Sequence, residues 1–496
     1  MSSSNSIFAE VGFRHEIDRL KKQIQEIYRA DNIPWFVGYS GGKDSSATLQ
    51  LVWQAIRELP ELQRHKQIYV ITNDTLVENP IVSLWVDKSL KLISRAAQTQ
   101  GLPFEAHKLE PDVGNTFWVK LIGWGYPAPR HKFRWCTHRL KIEPTSRFIQ
   151  QAVRRAGEAI VVLGTRKAES AARAKVIDSH RPLKGVEHHR DFLSQHSNLA
   201  NAWIYPVIAN WTNDDVWTYL MQEANPWGHS NKELLNLYRG ATADGECPMI
   251  LDTETPSCGN SRFGCWTCTL VDKDRSMAAM IHNDEQKEWM LPLLAIRDLI
   301  DFRVMEGQSD RSVRDFRRMN GRVQLVKGEP VPGPYLQSFR GMILRKVLEA
   351  QEWIRENGPE EVRGLELITL EELREIRRIW IEEKHEIEDL LPGIYQESTG
   401  KPFPDARHYD LIGLGAEEMK ILKECCEDNE IHYQMIRELL HIEKEFRLMS
   451  RRAGLFEKLE RAISRGFYES AEDAREKVKI DFFEKENLAK AANSNF

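Results

Sequence analysis

The chain has 496 residues, too many for one ordinary hydrophobic core, and a typical domain size of roughly 150 residues predicts about three domains. Lysine and arginine number 69 against 74 aspartates and glutamates, and the net charge of −5 argues against a protein that coats nucleic acid on its own. The sequence shows no signal peptide and no apolar run near the roughly 18 residues of a membrane span, so we expect a soluble, cytoplasmic protein with no membrane partner. Seven cysteines are too sparse for a disulfide scaffold, and clustered ones favour metal binding or catalysis.

A glycine-rich turn near the N-terminus joins two predicted elements. Residues 35–37 are apolar and predict a buried strand, whereas residues 49–56 carry apolar side chains at helical spacing. The turn between them has the sequence SGGKDS, which comprises Ser40, Gly41, Gly42, Lys43, Asp44 and Ser45. Adjacent glycines let the backbone approach a ligand, and the unpaired N–H groups at a helix start suit an anion, so this turn is predicted to hold phosphate.

The lysine and aspartate of the turn refine this prediction. The common P-loop would have glycine and serine or threonine where Val37 and Asp44 stand, so a different phosphate loop is indicated. A carboxylate beside a phosphate is repelled unless Mg²⁺ lies between them, and Asp44 therefore predicts a metal-bridged pyrophosphate. The alternative is an ordinary tight turn between a strand and a helix.

Three further strand candidates alternate with helical patterns and predict a doubly wound, parallel α/β sheet. They are residues 68–71, 104–109 and 159–163. The first of them is followed by Asp74 and Glu78, at the end of a strand where open α/β sheets bind ligands, although Asp74 could equally be a turn residue. Thr212 is predicted to cap a helix near a cluster of acidic residues.

Cys136 lies in the basic segment RWCTHRLK, just before a predicted helix over residues 143–156. A lone cysteine at a helix start is usually a small core residue. Here the cationic neighbours and the helix N-terminus would both lower the pKa of the thiol. The sequence therefore makes Cys136 a candidate thiolate.

Two arginines follow the strand that ends before Gly164. Arg166 and Arg173 lie in the segment GTRKAESAAR, which leaves the carboxyl edge of the predicted sheet. A guanidinium at that edge suits phosphate oxygens, whereas the alternative is a solvated helix face.

Four cysteines are concentrated between residues 247 and 268, among prolines and glycines. They are Cys247, Cys258, Cys265 and Cys268. Thiolates in such a loop can converge on one metal without distorting a helix or strand. Spacing alone leaves structural zinc and an iron-sulfur cluster equally open, because both accept four thiolates, and a redox dithiol is a third interpretation.

The chain beyond residue 276 is predicted to be helical and charged. Thr369 and Glu372 form a capping box, which predicts a helix that starts at residue 370. The densest basic run comprises Arg311, Arg314, Arg317, Arg318 and Arg322. These arginines could be a solvated helix face, or they could bind DNA phosphates or a partner.

Several of these motifs resemble one known group. SGGKDS after a strand is similar to the pyrophosphatase loop of the ATP pyrophosphatases, which include sulfonucleotide reductases, tRNA thiolases and the DndC proteins of DNA phosphorothioate modification. The segments CTHRLKIEP, GTRKAES and WTNDDVW resemble the reductase-like branch, and residues 203–210 resemble the last strand of that branch. The segment GNSRFGCWTC looks particularly like DndC. The resemblance covers most of residues 30–280.

The resemblance implies a sheet of the adenine-nucleotide α-hydrolase type that cleaves ATP, with Mg²⁺, between its α and β phosphates. The glycine-rich turn would bind ATP together with Asp74, Gly164, Arg166 and Arg173. The resemblance also favours a 4Fe-4S cluster over zinc. We expect the ligands of this cluster to be Cys247, Cys258, Cys265 and Cys268. Cys136 would then carry sulfur; in the rival assignment Cys136 binds the cluster and Cys247 or Cys258 is released.

The implied function is that of a sulfurtransferase in DNA phosphorothioate modification, with Lys43, Asp44 and Cys136 as catalytic residues. A cysteine desulfurase as sulfur source, other proteins of the same modification system and DNA as acceptor are the implied partners. The alternatives are a sulfonucleotide reductase and a scaffold switched by nucleotide. The expected organisation is an ATP pyrophosphatase domain over residues 1–245, an iron-sulfur segment over 246–275 and a helical region for partner or DNA contact over 276–496.

Overall fold

The computed structural model describes most of the chain. The described residues are 6–179, 192–196, 199–242, 263–302, 309–404, 415–427, 429–447, 449, 451–466 and 468–480. The chain forms two compact units, the first comprising Met1–Asp112 and Arg130–Leu294 and the second Val113–Pro129 and Ala295–Phe496. Within the described residues, no helix is long and apolar enough to cross a membrane.

The first unit is built on a six-stranded sheet. Its strands are β1 (Trp35–Gly38), β2 (Ile68–Asn73), β3 (Phe104–Leu109), β4 (Ala159–Val162), β5 (Ser194–Gln195) and β6 (Ala202–Tyr205). They lie in the order β3-β2-β1-β4-β6-β5, and all neighbouring pairs are parallel except β5 with β6. The predicted α/β fold with a parallel sheet is confirmed.

Helices connect these strands and continue through the second unit. In chain order they are α1 (Ile7–Val11), α2 (Phe13–Ala30), α3 (Lys43–Arg57), α4 (Pro80–Thr99), α5 (Trp135–Thr137), α6 (Glu143–Ala156), α7 (Ala171–Ser179), α8 (Asn213–Gln222), α9 (Asn231–Gly240), α10 (Arg275–Asn283), α11 (Leu291–Ile300), α12 (Gln337–Asn357), α13 (Leu370–Arg378), α14 (Leu390–Thr399), α15 (Ala416–Cys425), α16 (Glu430–Arg447) and α17 (Leu455–Gly466). The predicted helical C-terminal region is thus confirmed.

The central strands β1 and β4 are short and buried on both faces of the sheet. Trp35 and Val37 of β1 belong to one large hydrophobic cluster, while Phe36 between them packs into a second cluster. This two-sided burial explains why the strands are continuous apolar runs in the sequence. The last strand is shorter than predicted, because it ends at Tyr205 before a proline that has no N–H group for the ladder.

The order of the strands places a ligand-binding edge beside β1. From β1 the chain moves outward to β2 and β3 and then returns to β4 on the other side of β1. Loops at the carboxyl ends of β1 and β4 therefore flank a topological switch point, where open α/β sheets bind ligands. The glycine-rich turn follows β1, and Gly164 follows β4.

The predicted helix caps are present in both units. Thr212 Oγ1 accepts a hydrogen bond from Asp215 N at 3.2 Å, and an Asp215 carboxylate oxygen accepts one from Thr212 N at 2.8 Å. Thr369 and Glu372 form the same reciprocal pair at the start of α13. Local sequence patterns therefore identified both helix starts correctly.

The second unit contains a segment whose placement the sequence did not indicate. Residues 113–129 belong to this unit although they lie between β3 and α5 in the chain. Trp118 Nε1 donates a hydrogen bond to the carbonyl of Leu367 at 2.7 Å, and Trp380 Nε1 donates one to the carbonyl of Ile122 at 2.9 Å. Two buried indoles thus attach the segment to the helical unit.

The arginine run is not a helix face. A short 3₁₀ turn covers only Asp310–Val313, and Arg314 then donates to Asp310 at 3.0 Å and to the carbonyls of Pro332 and Gly333 at 2.6 and 2.7 Å. Arg317 pairs with Asp315 at 2.9 Å. The expectation of a solvated helix face is wrong, because Arg314 and Arg317 bind groups of their own unit.

We expect Arg314→Ala to lower the free energy of unfolding of this unit by about 3 kcal/mol, because it removes the partner of a buried carboxylate. The Arg314 side chain is 9% exposed and that of Asp310 5%. Urea denaturation of the full chain measures the effect. The matched control is Arg311→Ala, since this exposed arginine lies 3.8 Å from Glu329 and its loss should change stability by less than about 0.5 kcal/mol. Equal effects of both substitutions would show that the Arg314 contacts are not structural.

Candidate active site

The glycine-rich turn between β1 and α3 is held in a conformation that requires glycine. Gly41 has a φ of +72°, and a Cβ at this position would lie 2.5 Å from a methyl carbon of Val86. Trp85 Nε1 donates a hydrogen bond to the Gly41 carbonyl at 3.1 Å, and its ring stacks on His229. Helix α4 therefore fixes the backbone of the turn.

Hydrogen bonds of the Ser45 hydroxyl group to the backbone stabilise the turn. Ser40 N donates to Ser45 Oγ at 3.2 Å, and Ser45 Oγ donates to the Gly42 carbonyl at 3.0 Å. The 15-residue helix α3 begins at Lys43, so its positive end faces the turn. Lys43 N donates to the Tyr238 hydroxyl at 3.3 Å. The turn therefore presents glycine backbone and a helix N-terminus, the two features on which the prediction of phosphate binding depends.

Two cations converge on Asp44. Lys43 Nζ lies 3.3 Å from Asp44 Oδ2, and Arg166 Nε lies 2.7 Å from Oδ1. Arg166 is 4% exposed and also donates to the Trp211 carbonyl at 3.4 Å. The site thus combines one partly exposed carboxylate with two cations at the N-terminus of a helix, a set of groups that fits Mg²⁺ and phosphate oxygens.

The loop after β4 packs directly on this first turn of α3. A Cβ on Gly164 would lie 2.7 Å from the Asp44 carbonyl oxygen, so only glycine permits the approach. Arg166 follows and reaches Asp44, whereas Arg173 lies half-exposed on α7 and pairs with Glu169. The structure therefore brings one of the two predicted arginines to the glycine-rich turn.

Asp74 lies at the carboxyl end of β2, the neighbour of β1. One of its carboxylate oxygens accepts a hydrogen bond from Leu76 N at 2.8 Å, and Lys108 Nζ lies 2.6 Å from the other. Leu76 has a φ of +62°. Asp74 thus stabilises a turn, which agrees with the alternative interpretation of this residue. It also pairs with Lys108 at the same edge of the sheet.

A cysteine loop is attached to the end of β2. Thr75 Oγ1 lies 3.3 Å from Cys265 Sγ and donates to Glu78 at 3.0 Å. Trp266 N donates to the Val77 carbonyl at 3.0 Å. Cys265 therefore lies at the same edge of the sheet as the glycine-rich turn, next to the strand that neighbours β1.

Lys141 links this loop to the segment that contains Cys136. Its ammonium lies 3.2 Å from a Glu78 carboxylate oxygen. Burial lowers the pKa of Lys141, but the charges of Cys265, Glu78 and Cys136 outweigh burial and raise the pKa overall. We call Cys136, Lys141, Cys265 and Cys268 the cysteine–lysine cluster.

The expected lowering of the Cys136 pKa is wrong. Burial raises the pKa of this thiol, and the nearby Cys268 raises it further, against smaller opposing hydrogen bonds to Thr137. Burial likewise raises the pKa of Cys265 to about 12. The cationic residues around position 136 in the sequence do not compensate for the loss of water around the sulfur.

The thiol positions bear on the predicted metal centre. Cys136, Cys265 and Cys268 are reduced and close enough to affect one another's charge, and soft thiolates are the donors that an iron-sulfur cluster or zinc requires. In the part of the chain that the structure describes, no three His, Cys, Asp or Glu side chains are arranged to hold a metal ion. Cys247 and Cys258 lie outside the described residues, so the predicted four-thiolate set is not tested.

Sequence reasoning missed several residues of this edge. Trp85 and Tyr238 contact the glycine-rich turn from helices distant in the chain, and no local pattern marks them. Lys141 could have been considered, because it lies in the segment CTHRLKIEP together with the predicted site residue Cys136. Its proximity to Glu78 could not be read from that segment.

Known proteins resemble this part of the chain. The family model of the phosphoadenosine phosphosulfate reductase domain matches residues 34–271. The uncharacterized protein MJ0066 of Methanocaldococcus jannaschii is 28% identical over 204 residues, which are 41% of this chain and 35% of that protein. The chain thus spans about a third of that relative's length.

A solved structure also aligns with the chain. It is the FMN adenylyltransferase of Candida glabrata in complex with FAD and inorganic pyrophosphate, with 12% identity, 56% of this chain and 76% of that chain covered, and a TM-score of 0.27. A similarity at this level carries no argument about the site. The family model thus matches the part of the chain that contains the six-stranded sheet and the glycine-rich turn, and this part resembles a nucleotide-utilising domain of the phosphoadenosine phosphosulfate reductase type.

Proposed function

We propose that this chain is a sulfurtransferase of DNA phosphorothioate modification, which cleaves ATP to AMP and pyrophosphate to activate a DNA phosphate oxygen. The observation that carries the proposal is the shared sheet edge: a phosphate cradle ends β1, and Cys265 lies against Thr75 at the end of the neighbouring strand β2. Nucleotide cleavage and sulfur chemistry would therefore occur side by side.

The first step is adenylation of the acceptor. A DNA phosphate oxygen attacks the α phosphorus of ATP, the bond between the α and β phosphates breaks, and pyrophosphate leaves. Without nucleotide, Asp44 holds Lys43 and Arg166 in the site. Mg²⁺ that arrives with ATP would replace these cations at Asp44, so that both are free to stabilise the charge that develops on pyrophosphate.

The second step replaces oxygen by sulfur. Sulfide, or the terminal sulfur of a cysteine persulfide, attacks the DNA phosphorus, and AMP leaves with the activated oxygen. When the donor is a cysteine persulfide, its terminal sulfur forms the P–S bond and a second thiol then cleaves the S–S bond, which leaves a disulfide. Cys136 would be this donor in the assignment in which it is not a ligand of the cluster, and a cysteine desulfurase would load it.

A 4Fe-4S cluster fits the donors at this edge. Cys265 and Cys268 would hold it with two further thiolates, and when bound it would supply a site for sulfide. The closeness of Cys136 and Cys268 supports the assignment in which Cys136 is a ligand in place of Cys247 or Cys258. DNA and the other proteins of the modification system are the proposed partners.

The second candidate is a sulfonucleotide reductase, which the family match favours. The third is a scaffold that ATP hydrolysis switches. Anaerobically purified protein should be given labelled ATP, with and without DNA, and in parallel phosphoadenylyl sulfate with a dithiol. The proposal expects pyrophosphate, and an equal amount of free AMP once a sulfur donor is added. Sulfite from phosphoadenylyl sulfate would establish the reductase, and inorganic phosphate with ADP would establish the switch.

Trp85→Phe should raise the KM for ATP about fivefold and leave the fold intact, because it removes one hydrogen bond to the Gly41 carbonyl and keeps an aromatic ring beside His229. Steady-state pyrophosphate release measures the change. Trp353→Phe is the matched control, since Trp353 is exposed on α12. An unchanged KM in the Trp85 variant would mean that the turn does not depend on this contact.

A further inference from the structure

The second unit contains a cavity of about 180 Å³ with a strongly charged wall. The wall is formed by the turn around residues 315–321, the start of α12, residues 383–386 and the helices α16 and α17. Six of its side chains are cationic: Arg317, Arg318, Arg340, Lys384, Arg437 and Arg465. Four carboxylates share the wall, so the cations are in excess.

The arginines of the wall are already engaged. Four of them pair with carboxylates of the same unit: Arg317 with Asp315, Arg340 with Glu386, Arg437 with Glu388, and Arg465 with Glu438. Arg318 donates to the Pro332 carbonyl at 2.9 Å. These contacts hold the guanidinium groups in place and neutralise most of their charge.

Lys384 differs from the arginines. Among the described residues none forms a hydrogen bond or ion pair with its ammonium group. Burial lowers the pKa of Lys384 to about 8; Arg340 and Arg437 act in the same direction, while Glu386 and Asp315 oppose them. His385 beside it is partly buried, and burial lowers its pKa to about 3, so the imidazole supplies no charge at neutral pH. The ammonium of Lys384 is thus available to an anion that enters the cavity.

Two further donors at the wall have no partner among the described groups. Arg437 Nε and His385 Nδ1 are both buried and unbonded. A space larger than one water molecule, with a lysine that offers three N–H groups, suits a polyatomic anion with several acceptor oxygens better than a halide. We propose that the cavity binds a phosphate-type oxyanion with Lys384 as its counter-charge.

Sulfate is the appropriate probe, because its charge does not change across the pH range used. Equilibrium dialysis of the full chain with labelled sulfate, at constant ionic strength, should show one site whose affinity falls about tenfold or more in Lys384→Met. Lys346→Met removes an exposed lysine of α12 that pairs with Glu349 and should bind as the wild type does. The comparison is repeated in the Lys43→Ala background, which removes sulfate bound at the glycine-rich turn of the first unit.

The pH dependence gives a second readout. Sulfate affinity of the wild type should be constant below about pH 7 and fall as pH rises through the pKa of Lys384, which bound sulfate will shift upward from about 8. In Lys384→Arg the fall should disappear, because arginine keeps its charge. The charged groups around Lys384 are Asp315, Arg340, Glu386 and Arg437. The imidazole of His385, whose pKa burial lowers to about 3, stays neutral in this range.

Competition distinguishes the sources of the anion. Displacement of sulfate by a short single-stranded oligonucleotide would assign the cavity to a backbone phosphodiester, whereas displacement by phosphate or pyrophosphate alone would assign it to a free anion. Sulfate binding that is the same in Lys384→Met and in the wild type would overturn the proposal. Because the readout is binding in the second unit, its failure leaves the proposed ATP chemistry untouched.

Discussion

The Lys43→Ala chain should release pyrophosphate from ATP at least about a hundredfold more slowly than the wild type, because a preorganised cation at the departing phosphate is lost. Asp44→Asn should have a similar effect, since an amide neither holds Mg²⁺ as firmly nor positions Lys43 and Arg166. Steady-state assays with labelled ATP measure both. Neither substitution removes a thiolate, so iron content and visible absorbance should stay at the wild-type level.

The matched control for these variants is Lys88→Ala. Lys88 is an exposed lysine of the same unit, 3.4 Å from Glu233. Its loss should leave pyrophosphate release unchanged. Retained activity in Lys43→Ala, with the folded state verified by circular dichroism, would remove the glycine-rich turn from the reaction.

Cys265→Ser should lose most of its iron, from about four atoms per chain to fewer than about one, because a cluster that lacks one thiolate is unstable. The Cys136→Ser variant distinguishes the assignment of Cys136 as a cluster ligand from its assignment as a sulfur carrier. Loss of iron would make Cys136 a ligand, as its closeness to Cys268 favours, whereas a retained cluster with lost sulfur transfer would make it the sulfur carrier.

Iron and zinc analysis of anaerobically purified protein checks this prediction. Cys425→Ser is the control, because Cys425 is an exposed thiol at the end of α15. Stoichiometric zinc with no iron in the wild type would establish a structural zinc site and end the iron-sulfur interpretation.

The parts of the fold that local sequence patterns determine were predictable. β1 and β4 are buried on both faces and therefore stand out as apolar runs, and Thr212 and Thr369 mark helix starts through contacts three residues away. The position of residues 113–129 in the helical unit was not predictable, because it depends on Trp118 and on partners more than two hundred residues away.

The same distinction applies to the candidate site. The glycine-rich turn is one continuous segment, so its residues could be named from the sequence. Arg166 could be placed at the same edge of the sheet, but its pairing with Asp44 was not predicted. The pKa of Cys136 was predicted in the wrong direction, because the flanking cations are local whereas burial of the sulfur is a property of the whole unit. The prediction that residues 311–322 form a solvated helix face was wrong for the same reason, because Arg314 binds carbonyls that lie far along the chain.

The most direct test of the proposed chemistry is to trap the adenylated acceptor. Anaerobic protein is incubated with Mg²⁺, DNA and ATP labelled at the α phosphorus, and the sulfur donor is withheld. The account predicts that label becomes attached to DNA while pyrophosphate is released, and that sulfide then converts the label to free AMP and leaves a phosphorothioate linkage. Pyrophosphate release with no label on DNA at any time, or ADP as the nucleotide product, would contradict it.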